Sequence, residues 1–438
     1  MKDHFYTWAD DLFRKLRKEE VLLCFFEGER SDFVRFNGNK VRHAGTVVQR
    51  VVRIQLISGA RHATTSVSLA GVPGDSKAAA AILDGLRDVL GAVQDDPHLL
   101  YNTDVSSSDR VEPGLIPSPG DALATIRDGA TGMDLVGLWA AGQVYRGFAN
   151  SLGQRNWFET PSFHLDFSAY VHGDKAVKSS YAGTQWDSAH LLRILGKARE
   201  DAEVLVRPPK TVSRGNYRVF LTPSALAEIV GLLAWSDFGA EVQRTRRSSL
   251  ARALSGDARM SDMVSIRESM PSGVAPPFQA QGFPKPDEVV LVDRGRCQDS
   301  LVSPRSAMEY GLLTNADESE SPSSVVMDPG GLPMAEALSA LDTGIYVSNL
   351  WYLNYSDRPA CRMTGMTRFA TLWVEGGKPI APISVMRFDE TIYRVLGSNL
   401  VALTQEQELL LDPGTYEKRS TASFRLPGAL VDDFSFTL

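Results

Sequence analysis

Histidine is missing from Leu191 to Leu438, and that lack limits the chemistry open to this 438-residue chain more than any residue present. All seven histidines, His4, His43, His62, His98, His164, His172 and His190, precede it, none with a histidine partner four or five residues on, so no helical two-histidine metal motif exists. Cysteine is scarce too. Cys24, Cys297 and Cys361 lie far apart without a CxxC pair, which excludes a disulfide framework or zinc ribbon and fits a reducing compartment. No apolar run reaches the eighteen or so residues of a membrane span, and the N-terminus has no signal-like apolar core. A cytoplasmic protein is expected. The net charge of -7 argues against a nucleic-acid surface, and the one dense basic run, Arg244, Arg246 and Arg247, reads as a solvated helix face. There is no GxSxG elbow, and Asp328-Pro329-Gly330-Gly331 lacks the lysine of a phosphate-binding loop.

What is present is a globular composition long enough for two cores. Phe5, Trp8, Leu12 and Leu16 fall on one face of a helix over residues 3–19, and a strand follows at Val21–Phe26. Phe33–His43 reads as a hairpin turning at Asn37-Gly38, and further strands are expected through Leu69. Helices are expected at Lys77–Val93, Asp121–Arg127 and Ser188–Glu203, with strands at Gln143–Asn150, Asn156–Thr160 and Ser162–Val171 between them. Pro208-Pro209 breaks the chain best, which divides it into an N-terminal domain (residues 1–206) and a C-terminal domain (residues 211–438). The expected fold is α+β, each domain a mostly antiparallel sheet covered by helices.

The second half opens on a strand, Tyr217–Leu221, that runs into the stretch Thr222–Leu254. Thr222 is a fitting N-cap, Pro223 fits the first helical position, and Leu226, Ile229, Val230 and Leu233 recur at helical spacing. Asn315–Gly331 is acidic and turn-rich and is expected to be an exposed loop. Strands are expected at Thr367–Glu375, Ala381–Phe388 and Ser423–Leu426, and a helix near Glu390–Leu396.

Five segments occur together in order: SDFVRFNGNKVRHAG (residues 31–45), NSLG (150–153), GIYV (344–347), MTGMTRFATLWVEGGKPIAPI (363–383) and MRFDETI (386–392). Together they resemble the TldD/PmbA family of metallopeptidases over essentially the whole chain. The resemblance implies a two-domain α+β fold, dimeric assembly and an active site in the second domain. In the family's peptidase subunit, His-Glu-x-x-x-His on the first helix of that domain and a cysteine near the C-terminus hold the metal. Placed by the Arg-Ser-Ser-Leu run at residues 247–250, the motif falls near Leu232, Leu233 and Asp237, and the cysteine position near Tyr416. All three ligands are replaced, so no catalytic residue, metal or cofactor is expected in this chain.

By this resemblance the chain is similar to the metal-free PmbA/TldE branch. It implies a non-catalytic subunit paired with a TldD-like, zinc-bearing partner that hydrolyses unfolded or short peptides. Thr367 and Arg368 are candidate peptide contacts; Arg368 could instead pair with Glu375 or Asp389. Two other readings stay open: a homodimer that binds a peptide or small ligand without chemistry, and an enzyme with a relocated site using Cys361 or the first-half histidines.

Overall fold

The computed structural model describes residues 1–437 and contains two sheets, each drawing its strands from one side of Pro208-Pro209. The first holds β1 (Glu20–Asn37), β2 (Lys40–Ser58), β3 (Arg61–Ser68), β4 (Ser108–Val111), β5 (Asp134–Asn150), β6 (Arg155–His172) and β7 (Lys175–Gly183). They run in the order β3-β2-β1-β5-β6, with β4 and β7 both on β6. β1 and β2 turn where expected, but the positive φ angles fall on Gly38 (58°) and Asn39 (55°), one residue later than the sequence suggested. Asn37 instead pairs with Lys40 and closes the ladder. Both centres being left-handed matches the right-handed strand twist, and glycine and asparagine tolerate that region best.

Four helices cover this sheet. α1 (Lys2–Phe13) buries Phe5, Trp8, Ala9 and Leu12. With α2 (Ala79–Ala92) it covers one end of the long strands, around Leu22, Phe26, Ile54 and Trp157. α3 (Pro119–Gly129) and α4 (Ser188–Leu205) cover the other end, around Phe36, Trp139 and Leu165.

The second sheet comprises β8 (Gly215–Leu221), β9 (Ile266–Ser269), β10 (Glu288–Asp293), β11 (Arg296–Cys297), β12 (Ser324–Met327), β13 (Gly344–Asp357), β14 (Arg362–Glu375), β15 (Lys378–Pro382), β16 (Arg387–Thr391), β17 (Leu400–Leu411) and β18 (Ser423–Phe436). Strands β8, β13, β14, β16 and β18 close into a ring, because β18 pairs with β8 as well as β16. The architecture is the α+β arrangement of two sheet-rich domains expected from the sequence. No helix among the described residues is long and apolar enough to cross a membrane.

Helix α5 (Pro223–Ala234) packs on β13 and β18. Thr222 caps it, its Oγ1 accepting from the Ala225 N–H at 3.2 Å while its hydroxyl donates to the Ser348 carbonyl at 2.6 Å. A helix of twelve residues is marginal alone, so burial sustains it. Leu226, Ile229, Val230 and Leu233 are fully buried, each contributing about 1.5–3 kcal/mol. The helix stops at Ala234; the rest of Thr222–Leu254 is turns and two short helical segments.

Three expectations need correction. Residues 315–331 are not simply an exposed loop: β12 within them is buried, because Val325 and Val326 pair with both β9 and β18. Glu320 is buried as well, accepting from the Ser303 N–H and the Glu241 N–H. Near Glu390–Leu396, β16 continues to Thr391 and a five-residue π turn, Arg394–Ser398, follows instead of an α-helix. β17 had no counterpart in the sequence reading.

Candidate functional site

The two sheets meet along a cleft of about 430 Å³. From α5 it receives Ser224, Ala227, Glu228, Gly231 and Leu232, spaced i, i+3, i+4, i+7 and i+8, so they form one helical face; Trp235 follows at the rim. His164 and Asp166 of β6 and Lys178 and Ser180 of β7 form the opposing wall. β13 and β14 add Asn349, Trp351, Leu353 and Phe369, and Leu410, Asp412 and Phe424 close the remaining side. β7 and β17 approach each other here without pairing; β7 pairs with β6 alone, and β17 pairs with β18 and, only at Leu403–Gln405, also bonds to Gly330 and Leu332, which leaves its Glu406–Leu411 end unpaired on the outer side. Their outer backbone groups are available to a third strand.

Electrostatics in the cleft are uneven. Glu228 is exposed to the cleft and has no ion-pair partner among the described residues. The enclosing walls raise its carboxyl pKa, with the positive charge of Lys178 opposing the rise. Lys178 lies nearer Asp166, at 3.4 Å. His164 is only 4 % exposed and its Nε2 has no hydrogen-bond partner. Burial, aided by the Arg419 charge and opposed by Asp412, lowers its pKa from 6.5 to about 4.

That shift predicts an acid sensitivity. Above pH 6.5 the ring is neutral in both folded and unfolded chains and contributes nothing. Between pH 6.5 and 4 only the unfolded chain takes up the proton, so stability falls with pH by about 1.4 kcal/mol per unit, roughly 3 kcal/mol altogether. Urea midpoints at pH 7, 5 and 4 should show this loss in the wild type, and a slope smaller by that amount in His164→Gln.

The cleft mouth is strained. Tyr352 (φ 58°) and Phe369 (φ 60°) are left-handed, on neighbouring strands of a pair that slips register around both. Bulky residues adopt this conformation only where the surrounding structure imposes it. Between Val347 and Asn349 the β14 partner steps from Thr371 to Arg368, so β14 carries an extra residue and Phe369 reaches the cleft.

The residues singled out from the sequence do not converge. Leu232 lines the cleft, whereas Leu233 lies in the core. Asp237 lies beyond the end of α5 and faces away, its carboxylate accepting from the Ser249 N–H at 2.7 Å and the Tyr355 hydroxyl at 2.6 Å. Tyr416 is 91 % exposed and lines no part of the cleft. Thr367, expected to touch peptide, is fully buried, its Oγ1 accepting from the Met386 N–H. Arg368 pairs with neither Glu375, which holds Lys210, nor Asp389, which holds Arg362; it stacks on the Phe369 ring at 5.4 Å. Cys361 is buried, its thiol pushed up to about 12 by burial and donating to Ser249 Oγ at 3.4 Å, which is not an activated nucleophile. His62 is held by Gln55 and Asp96. Lys178, Glu228 and Phe369 were the residues missed, because each reaches the cleft through tertiary packing, and His164 was included only as one of the first-half histidines.

The donor set does not suit zinc. The cleft face of α5 offers one carboxylate, Glu228, and neither histidine nor cysteine, and the other donors lining the cleft, His164, Asp166 and Asp412, do not gather around it as a ligand set. Among the described residues no three His, Cys, Asp or Glu side chains come together to hold a metal.

Residues 214–438 match the family model of the PmbA/TldA metallopeptidase C-terminal domain. No curated protein sequence matches the chain. Among solved structures, TldE from Thermococcus kodakarensis is 14% identical with a TM-score of 0.75, the alignment covering 100% of this chain and 99% of that one. A protein described as a candidate modulator of a DNA gyrase, from Thermotoga maritima, is 15% identical with a TM-score of 0.77, covering 99% and 100%. Another so described, from Bacteroides thetaiotaomicron, is 15% identical with a TM-score of 0.76, covering 100% and 98%. At such identities the structures establish a common fold across the whole length. With the matched model spanning just over half of its residues, the chain belongs to the PmbA/TldD family.

Proposed function

We propose that this chain is the metal-free subunit of a TldD/TldE-type complex that hydrolyses peptide or amide bonds in unfolded or short peptides. The supporting observation is α5, whose face on the cleft offers one carboxylate, Glu228, and neither histidine nor cysteine. Written on that face, His-Glu-x-x-x-His falls with its glutamate on Glu228 and its histidines on Ala227 and Leu232, five residues earlier than sequence spacing suggested. Only the carboxylate survives. Water activation then belongs to a TldD-like, zinc-bearing partner, and this subunit holds substrate. An extended peptide lying between the free edges of β7 and β17 would bond through its backbone, which requires no particular side chain.

A site for the partner is available on β2. Lys40–Val48 is exposed on both faces, and its outer edge is unpaired among the described residues because β3 ends opposite Val51. Nine exposed strand residues including Val41, Val47 and Val48 are an open template for pairing. Lys40, Arg42 and His43 give that edge a basic character that suits an acidic edge on the TldD-like chain. A cytoplasmic location accords with the three separate, unpaired cysteines.

The experiment is to mix the chain with a TldD-like protein bearing the intact motif and to follow assembly and cleavage of short peptides. A complex that cleaves while this chain alone does not is expected; neither assembly nor cleavage would overturn the proposal. The homodimeric ligand-binding reading draws on a different observation, that one chain supplies every wall of the cleft. It requires a stable homodimer that the added TldD-like chain leaves unchanged.

A further inference from the structure

We infer that the cleft, on this chain alone, takes a cationic apolar segment: a lysine or arginine side chain next to an aromatic or branched apolar one. The inference shares its cleft with the proposed function but does not require the partner.

Charge decides the class of ligand. Three carboxylates face the cleft, Asp166, Glu228 and Asp412, against one cation, Lys178. Lys178 is taken by Asp166, and His164 contributes no charge at neutral pH. Among the described residues Glu228 and Asp412 therefore remain without a paired cation, and the Asp412 carboxylate accepts only from the Gly414 N–H, at 2.9 Å. A neutral apolar ligand would strip water from Glu228 and give nothing back, and an anion would add repulsion. A cation replaces the lost hydration with an ion pair.

The remaining surface specifies an apolar neighbour. Leu232, Leu350, Leu353, Phe369 and Phe424 line the cleft, and its volume falls within the roughly 300–1000 Å³ usual for ligand sites. At the rim Trp235 and Trp351 are 77 % and 49 % exposed; Trp351 meets Tyr352 edge-to-face, and the open parts of both indoles can take a cation or an aromatic ring. The buried, unpartnered Nε2 of His164 gives a ligand backbone one fixed hydrogen-bonding group.

The test uses the isolated full chain and three probes: acetyl-Phe-Arg-amide, acetyl-Phe-Glu-amide and acetyl-Gly-Gly-amide, followed by tryptophan fluorescence and calorimetry. The arginine probe is expected to bind at least about tenfold tighter than the glutamate probe, with little binding of the glycine probe. Glu228→Gln, nearly isosteric and open to the cleft, should weaken the arginine probe about tenfold and leave the melting temperature unchanged; Trp351→Ala should weaken it about threefold. Equal affinity for the two charged probes, no binding of the arginine probe, or Glu228→Gln behaving as wild type would overturn the inference. Since no partner is present, binding here together with failed assembly would sink only the proposed complex.

Discussion

Arg419→Met is expected to cost about 3 kcal/mol of stability, read as a lower urea midpoint, and to loosen the contact between the two sheets. Arg419 comes from the β17–β18 connection and reaches into the first domain, where it is 2 % exposed. Its Nη2 donates to the Ser162 carbonyl at 2.9 Å and Ser162 Oγ at 2.6 Å, and its Nη1 to Ser31 Oγ at 3.3 Å and the Gly142 carbonyl at 3.4 Å. Charge alone does not explain this arrangement. Arg146 and Lys418 already face Glu27 and Glu29, and burial lowers the Arg419 pKa to about 10. The stabilisation lies in the fork, since methionine would take this donor from two carbonyls and two hydroxyls, at about 1–3 kcal/mol for each acceptor left unsatisfied, offset in part by relief of charge burial. Arg419→Lys tests that distinction: it keeps the charge but cannot bridge Ser162 and Gly142, and should recover less than half of the loss. Full recovery by lysine would mean that charge, not geometry, holds the domains.

The same arginine ties the fold to the cleft. Its charge helps keep His164 neutral, so Arg419→Met should also flatten the acid sensitivity predicted for that histidine. This link could not be read from the sequence, because residues 164 and 419 meet only when β6 and the β17–β18 connection pack together.

Local chemistry was legible. Thr222 and Pro223 open α5 as their residue types require, and the hairpin at Gly38-Asn39 sits within one residue of its expected place. The α+β class followed from helix and strand stretches occurring together in each half, although β6, buried on both faces over Thr160–Leu165, shows there none of the alternation of a half-buried strand. The site was far less legible. Registering the metal motif by a downstream run assumed a continuous helix, but α5 ends at Ala234 and Asp237 turns into a buried polar cluster with Tyr355 and Ser249. On β14, simple alternation cannot anticipate the extra residue that brings Phe369 to the cleft and leaves Thr367 buried. No residue type announces such a bulge when its left-handed position is filled by phenylalanine.

If the chain assembles with a TldD-like partner as proposed, that assembly should be the property most easily abolished without harming the fold. Val47 and Val48 occupy opposite faces of β2, 39 % and 46 % exposed, on a segment whose outer edge has no strand partner among the described residues. Surface substitutions at such positions usually change stability by no more than about 0.5 kcal/mol. Val47→Lys/Val48→Lys should therefore melt as wild type. If the TldD-like partner pairs along this edge, each lysine must be desolvated in the interface at about 2 kcal/mol, so the pair costs about 4 kcal/mol, a loss of roughly 1000-fold in affinity. Sedimentation of the mixed chains would show assembly with the wild type and separate species with the variant, and peptide cleavage would fall in step. Binding of the arginine probe to the isolated variant should persist, since the cleft contains neither valine. Retained assembly in the variant would move the interface elsewhere, whereas loss of the homodimer with no effect from the TldD-like chain would favour self-association through the same edge. The edge and the cleft are thus separable by experiment: Val47→Lys/Val48→Lys tests the proposed assembly, and Glu228→Gln tests the proposed ligand.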